Sequence, residues 1–263
     1  MGILVTIYFW IDTVMLSLMK GDTVVGWYNA PYRLVYVLLF IPSAYFSSIY
    51  PVMSKFYKNS KSSLKFGYEC SFRYMLLLAV PIGLGTTLLA DKIILFIYGT
   101  NFTPSISGLQ ILIWAVVCSY LSHTPMYFFY SINKQGIYTK VVFFSMILNI
   151  ILNLVLIPKM SYIGASIATV ITEFIGFLLL FGYAKMYQLG TPLSYKFITK
   201  LIICNIGMGL FIIYLNTMIG LGLTILGSAT VYIFLLWLFH VFSEEDILII
   251  KRLIKATMVR GSS

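Results

Sequence analysis

Runs of about 20 mostly apolar residues recur from one end of this chain to the other, and each can cross the ~30 Å hydrocarbon core of a bilayer as an α-helix. Lipid offers no water to pair backbone groups, so spanning segments must be helices or strands of a closed barrel. The short alternating segments of a barrel are not found in the sequence. With 60% hydrophobic and 10% charged residues, a soluble domain is excluded. The fold class expected is all-α, a polytopic membrane protein with about eight transmembrane helices. They are read at Ile3–Met19, Val24–Tyr50, Tyr74–Leu89, Leu109–Tyr130, Val141–Ile157, Ile163–Ala184, Leu201–Asn216 and Leu221–Phe242. This divides the chain into a six-helix lobe (1–184), two additional spans (185–242) and a tail (243–263). In the tail, Ser243 starts a helix whose apolar stripe of Ile247, Ile250, Ile254 and Met258 suits the inner membrane surface. The run from Ile3 lacks a preceding basic stretch and is followed at once by further spans, so it reads as a span rather than a cleavable signal.

The net charge of +10 would suggest nucleic acid in a soluble protein. In a membrane protein it reflects basic loops facing anionic lipid, and no nucleic-acid partner is expected. With the N-terminus inside, 14 of the 18 Lys and Arg residues fall on the inner side and three outside, at Lys20, Lys92 and Lys159. The expected topology therefore has both termini in the cytoplasm of a multi-pass cell-membrane protein. The most basic stretch, Ser54–Ser71, reads as a loop along the inner headgroups. Ile93–Tyr98 reads as a short interfacial piece before Gly99, and Asn101-Phe102-Thr103 forms a glycosylation sequon on the outer side.

The remaining cation, Arg33, lies inside the second span. A charge there costs about 2.5 kcal/mol or more, which implies a partner, a ligand or a wet cavity. Asn29, Arg33, Tyr36, Ser43 and Ser47 follow at helical spacing and define a polar face. Asp12, in the first span, is roughly 14 Å from the turn at Gly21, and Arg33 roughly 18 Å. The two are expected to share a depth and to pair, either as a structural ion pair or with Arg33 also facing a substrate cavity. Pro31 and Pro42 are expected to kink the second span.

Ser145, Asn149 and Asn153 share one face of the fifth span, suited to bridging helices or lining a cavity. Ala165, Thr169, Thr172 and Gly176 give the sixth span a close-packing stripe. Glu173 is the third intramembrane charge. It can couple protons, pair with a cation or be kept neutral by burial. Ser122 and His123 are adjacent and so point to different sides of a helix, with no orienting third residue, which argues against nucleophilic catalysis. Cys70, Cys118 and Cys204 are isolated, so no disulfide framework, metal site or cofactor is expected.

Four stretches, Ile11–Leu34, Ile41–Tyr57, Ile97–Leu112 and Asn153–Glu173, together resemble the polysaccharide-transport branch of the MATE-like flippase superfamily, which includes O-antigen-type flippases and the lipid II flippase. The resemblance implies a V of two six-helix lobes around a central cavity, with members that move lipid-linked sugars to the outer leaflet by alternating access. This chain resembles the second lobe plus two extra helices. Arg33 falls in the helix where the lipid II flippase carries a basic cavity residue, so the implied partner is the pyrophosphate of a lipid-linked oligosaccharide. The implied cavity candidates are Arg33, Asp12, Asn29, Tyr36, Ser43, Glu173, Asn149 and Asn153. The absent first lobe implies a partial or split transporter completed by another chain or by a homodimer. Alternatives are a cation-coupled multidrug exporter of the same fold, relying on Asp12 and Glu173, and a non-transporting remnant or assembly partner. A membrane-embedded enzyme is disfavoured.

Overall fold

The computed structural model describes residues 2–189, 193–215 and 219–241, with the backbone alone for residues 2–5. The expected tail helix lies outside the described residues. Among the described residues the regular structure is entirely helical. In order come α1 (Gly2–Lys20), α2 (Asp22–Leu38), α3 (Phe40–Asn59), α4 (Lys61–Leu88), α5 (Ala90–Tyr98), a 3-10 turn (Thr100–Phe102), α6 (Ser105–Ser131), α7 (Gln135–Met186), α8 (Tyr195–Leu215) and α9 (Leu221–Leu238). Among the described residues, six helical stretches are long and apolar enough to cross a membrane: Asp22–Asn59, Lys61–Leu88, Ser105–Ser131, Gln135–Met186, Tyr195–Leu215 and Leu221–Leu238. The chain falls into two compact units, residues 1–192 with α1–α7 and residues 193–263 with α8 and α9.

At 52 residues, α7 would be about 78 Å long if straight, more than twice the hydrocarbon thickness. It is not straight. Ser161 has φ 55° and ψ −137°, a conformation that cannot continue a helix. The two arms fold back on each other, since Gly164 lies against the backbone of Leu156 and Gly176 against Ser145. These pairs are centred on residue 160, between the fifth and sixth spans read from the sequence. The small residues of the second arm serve this contact: Ala165, Ala168 and Thr172 are fully buried.

The second span breaks at Leu39, between α2 and α3. Pro42 has no N–H, so the Leu38 carbonyl loses its helical donor. The hydroxyl of Tyr120 on α6 replaces it at 2.7 Å. In the same way Pro31 strips the Trp27 carbonyl, which accepts from Ser105 Oγ at 2.8 Å. Helix α6 packs against α2, α3, α4, α5 and α7, and so pins both proline sites from the centre of the lobe. Tyr120→Phe leaves a half-buried carbonyl unpaired and should destabilise the lobe by about 1–3 kcal/mol. A fall in the thermal unfolding midpoint of the detergent-solubilised protein checks this, and an unchanged midpoint would mean that the kink needs no external donor.

The basic stretch is not a loop. Helix α3 continues through Pro51 to Asn59, and α4 starts at Lys61 rather than near Tyr74. Ser60 alone breaks the helix, and its Oγ accepts from the Ser63 N–H at 3.3 Å as the cap of α4. Lysines at helix ends can sit beyond the apolar layer while the backbone stays helical, which composition alone does not reveal. The interfacial piece is present as α5, closed by Gly99 at φ 78°. In the second unit α8 and α9 form their own hairpin. Gly207 receives Leu235, Gly227 receives Phe211, and Lys200 Nζ caps the His240 carbonyl at 3.0 Å.

Candidate functional site

Four helical segments, α1, α2 and the two arms of α7, bring their polar residues to one point inside the first unit. Asp12 on α1 is 2% exposed, and its carboxylate takes three hydrogen bonds. Tyr28 Oη on α2 donates to Oδ2 at 2.7 Å. Thr169 Oγ1 on the second arm of α7 donates to Oδ2 at 2.8 Å. Asn153 Nδ2 on the first arm donates to Oδ1 at 2.5 Å, and reaches Asn149 Oδ1 at 2.9 Å. Asn149 and Asn153 are both fully buried, and Asn153 Oδ1 has no hydrogen-bond partner. Beside this cluster lies a cavity of about 40 Å³ lined in part by Asp12, Tyr32, Asn149, Thr169 and Glu173. That is room for a water or a small ion. A buried carboxylate with only neutral donors keeps its charge uncompensated, and an unpaired amide oxygen sits beside it. The oxygens of Asp12, Asn149, Asn153 and Thr169 are therefore a set that can hold a proton or a monovalent cation.

Glu173, one turn beyond Thr169, forms a second centre. Tyr8 Oη donates to Oε1 at 2.9 Å and Ser119 Oγ to Oε2 at 2.7 Å. The carboxylate borders the small cavity and also a larger one of about 690 Å³. Tyr36 and Ser43, from the polar face read in the second span, line the larger cavity, as do Ser122 and His123.

The expected Asp12–Arg33 pair is not formed. Arg33 is exposed, lines neither cavity, and has no hydrogen-bond or ion-pair partner among the described residues. The register of the α1–α2 hairpin gives the reason. Thr13 meets Asn29 at 2.9 Å and Tyr32 reaches the Phe9 carbonyl at 3.1 Å. Level with Asp12 is therefore the turn at Tyr28 to Ala30, one turn short of Arg33. Rotation decides the rest. Tyr28, Tyr32 and Tyr36 stack at i, i+4, i+8 on the side facing α1, and Arg33 points about 100° away from Tyr32. The polar face is thus divided: Asn29 is held by Thr13; Tyr36 and Ser43, on either side of the kink, line the larger cavity; and Arg33 stands apart. The sequence reading missed Tyr28, Tyr8 and Ser119, and it assigned Thr169 to packing alone. The tyrosine repeat on α2 was the available signal.

Comparison with known proteins agrees with this architecture. Residues 1–57 match the family described as polysaccharide biosynthesis protein. A probable low-salt glycan biosynthesis flippase of Haloferax volcanii is 25% identical over 166 residues, covering 63% of this chain and 35% of the relative. A second probable flippase of that organism is 26% identical, covering 65% and 37%. An uncharacterized membrane protein of Methanocaldococcus jannaschii is 24% identical, covering 92% and 50%. Among solved structures, a lipid II flippase in an inward closed conformation superposes with a TM-score of 0.72 at 18% identity, covering 92% of this chain and 52% of the other. The chain thus spans about half or less of the length of the proteins it matches. Two of the three relatives are named as flippases, none as an enzyme. The chain is thus a multi-pass membrane protein with the lipid II flippase fold, similar in its first 57 residues to the polysaccharide biosynthesis protein family and in sequence to proteins named as probable flippases.

Proposed function

We propose that this chain forms one lobe of a transporter that flips a lipid-linked oligosaccharide across the membrane, working with a second lobe. The relatives named as flippases and the half-length match support this reading. The observation that carries it is the Asp12 centre. A purely structural core would pack at least as well with apolar residues, whereas an uncompensated buried carboxylate joining four helical segments suits a site that binds and releases a coupling proton or monovalent cation. In the positive-inside orientation both termini are cytoplasmic and Arg33 lies in the outer half of its span. Arg33 is the cation that meets the pyrophosphate of the substrate. Its exposed, unpaired state supports that role, and the Glu173 carboxylate repels an anionic head from the larger cavity.

The test is flipping of a fluorescent polyprenyl-pyrophosphate oligosaccharide in proteoliposomes, read by access of an impermeant quencher. The chain is assayed alone and co-reconstituted with a polypeptide that supplies a second lobe. Quencher-accessible substrate should rise with the completed pair. Arg33→Ala should lower the rate by about tenfold or more and Arg33→Lys by less, because charge rather than shape is needed. No flipping by either preparation, or full activity in Arg33→Ala, would remove the corresponding part of the proposal.

A further inference from the structure

The larger cavity has a chemistry of its own. Its volume of about 690 Å³ falls within the range of small-molecule sites, roughly 300–1,000 Å³. Among its lining residues Glu173 is the only acid, and there is no lysine or arginine. The hydrogen bonds from Tyr8 and Ser119 fix the carboxylate without cancelling its charge, since both donors are hydroxyls. His123 adds an acceptor. Its Nδ1 lies 2.7 Å from the Ser119 carbonyl, so that nitrogen carries the hydrogen and, in the neutral ring, Nε2 accepts. Ser122 and Ser145 bring hydroxyls, and most of the remaining wall is aromatic or aliphatic, including Phe9, Tyr36, Phe40 and Tyr138.

This combination excludes most occupants. A phosphate or pyrophosphate would meet a carboxylate with no cation to offset it. A sodium-sized ion needs several oxygens converging at short range, and a space of this size with mostly apolar walls does not supply them. A wholly apolar molecule would leave the carboxylate and the histidine acceptor desolvated and unpaired. A cation with N–H donors on an apolar body satisfies each part, because aromatic faces attract the charge and the acceptors take the hydrogens. We infer that this cavity binds a lipophilic primary or secondary ammonium, whose N–H groups donate to Glu173 and His123 and whose apolar body lies among the aromatic side chains. The ammonium can belong to a free amine or to the headgroup of an amine-bearing lipid. The site lies wholly within the first unit and needs no second lobe, so it stands or falls separately from the transport reading.

The probe is dansylcadaverine, a primary ammonium on a naphthalene body. Its fluorescence is titrated against the full chain in phosphatidylglycerol nanodiscs, with empty nanodiscs subtracted. Saturable binding in the micromolar range is expected. The N-acetylated, uncharged probe should bind at least about tenfold more weakly, as should Glu173→Gln with the charged probe. Ser122→Phe, which fills the cavity, should also abolish saturation. Equal binding of the acetylated probe, or wild-type binding by folded Glu173→Gln, overturns the site. If the thermal melt shows that Glu173→Gln does not fold, the two probes on the wild-type chain and Ser122→Phe decide. Repeating the titration with phosphatidylethanolamine in the nanodisc identifies the source. Displacement of the probe by that lipid assigns the site to an amine headgroup, and unchanged binding assigns it to a free amine.

Discussion

Gly164→Ala is expected to keep the α7 hairpin from closing and to lower the stability of the lobe by at least ~3 kcal/mol. A Cβ at this position would press on the Leu156 carbonyl oxygen, lie 2.6 Å from its carbon and lie 3.1 Å from the Ile157 nitrogen. These are backbone atoms, which cannot rotate aside as a side chain can. The two arms would have to separate, and with them Asn153 and Thr169, which come to Asp12 from opposite arms. Two glycines of the same helix grade the effect. At Gly176 the nearest atom is Ser145 Oγ at 3.1 Å, a side-chain atom that can turn, so Gly176→Ala should cost about 1 kcal/mol or less. At Gly136 nothing lies within 4 Å, and Gly136→Ala should be neutral or stabilise by about 0.5–1 kcal/mol through helix propensity. Unfolding midpoints of the three variants in one detergent should rank in that order. Gly164→Ala melting with Gly136→Ala would show that the arms do not need this close approach.

The hairpin was legible in the sequence because Ile163–Ala184 begins with small residues just after Pro158 and Lys159, which interrupt the apolar run. The interfacial α5 was legible for a similar reason, since Gly99 and Pro104 punctuate it. The partner of Asp12 was not. Counting from Gly21 fixes depth to about one turn, but in a hairpin the contact also depends on rotation, and one residue turns the side chain by about 100°. A charge-matching argument favours arginine over tyrosine, because it weighs attraction and not which face turns inward. Tyr28 and Tyr32 carry no charge to match, yet their hydroxyls donate inward, to Asp12 and to the Phe9 carbonyl. The kink at Leu39 hid a second fact: Tyr36 before it and Ser43 after it both line the larger cavity, whereas Arg33, on the same helix as Tyr36, lines neither cavity. What the apolar pattern does specify is where lipid ends. Which polar groups meet inside depends on register, which hydrophobicity leaves free.

Asp12→Leu should cost about 3–5 kcal/mol, the largest effect expected at a single polar side chain of the lobe. The isobutyl group fits the volume but accepts nothing, so the buried Tyr28 hydroxyl exchanges the carboxylate for the longer contact to Thr169 Oγ1 at 3.2 Å, and the Asn153 amide keeps only Asn149. Thr169 loses least, because it can still donate to the Ala165 carbonyl at 3.0 Å. If poorly satisfied donors are the cause, removing the one left with the longest contact should restore stability. Asp12→Leu with Tyr28→Phe should then be more stable than Asp12→Leu alone, although Tyr28→Phe by itself destabilises; this sign reversal distinguishes poorly satisfied donors from a general packing defect. Function should separate from stability in a third variant. Asp12→Asn keeps the shape and one acceptor oxygen, so its melt should stay closer to the wild type than that of Asp12→Leu. An amide cannot carry a negative charge, so a coupling proton or cation has nothing to neutralise. Flipping by the completed transporter should then fall about a hundredfold, which corresponds to ~2.7 kcal/mol. Wild-type flipping by a folded Asp12→Asn protein would make the centre a structural knot of hydrogen bonds, and coupling would have to be sought at Glu173, the other carboxylate bordering the same small cavity.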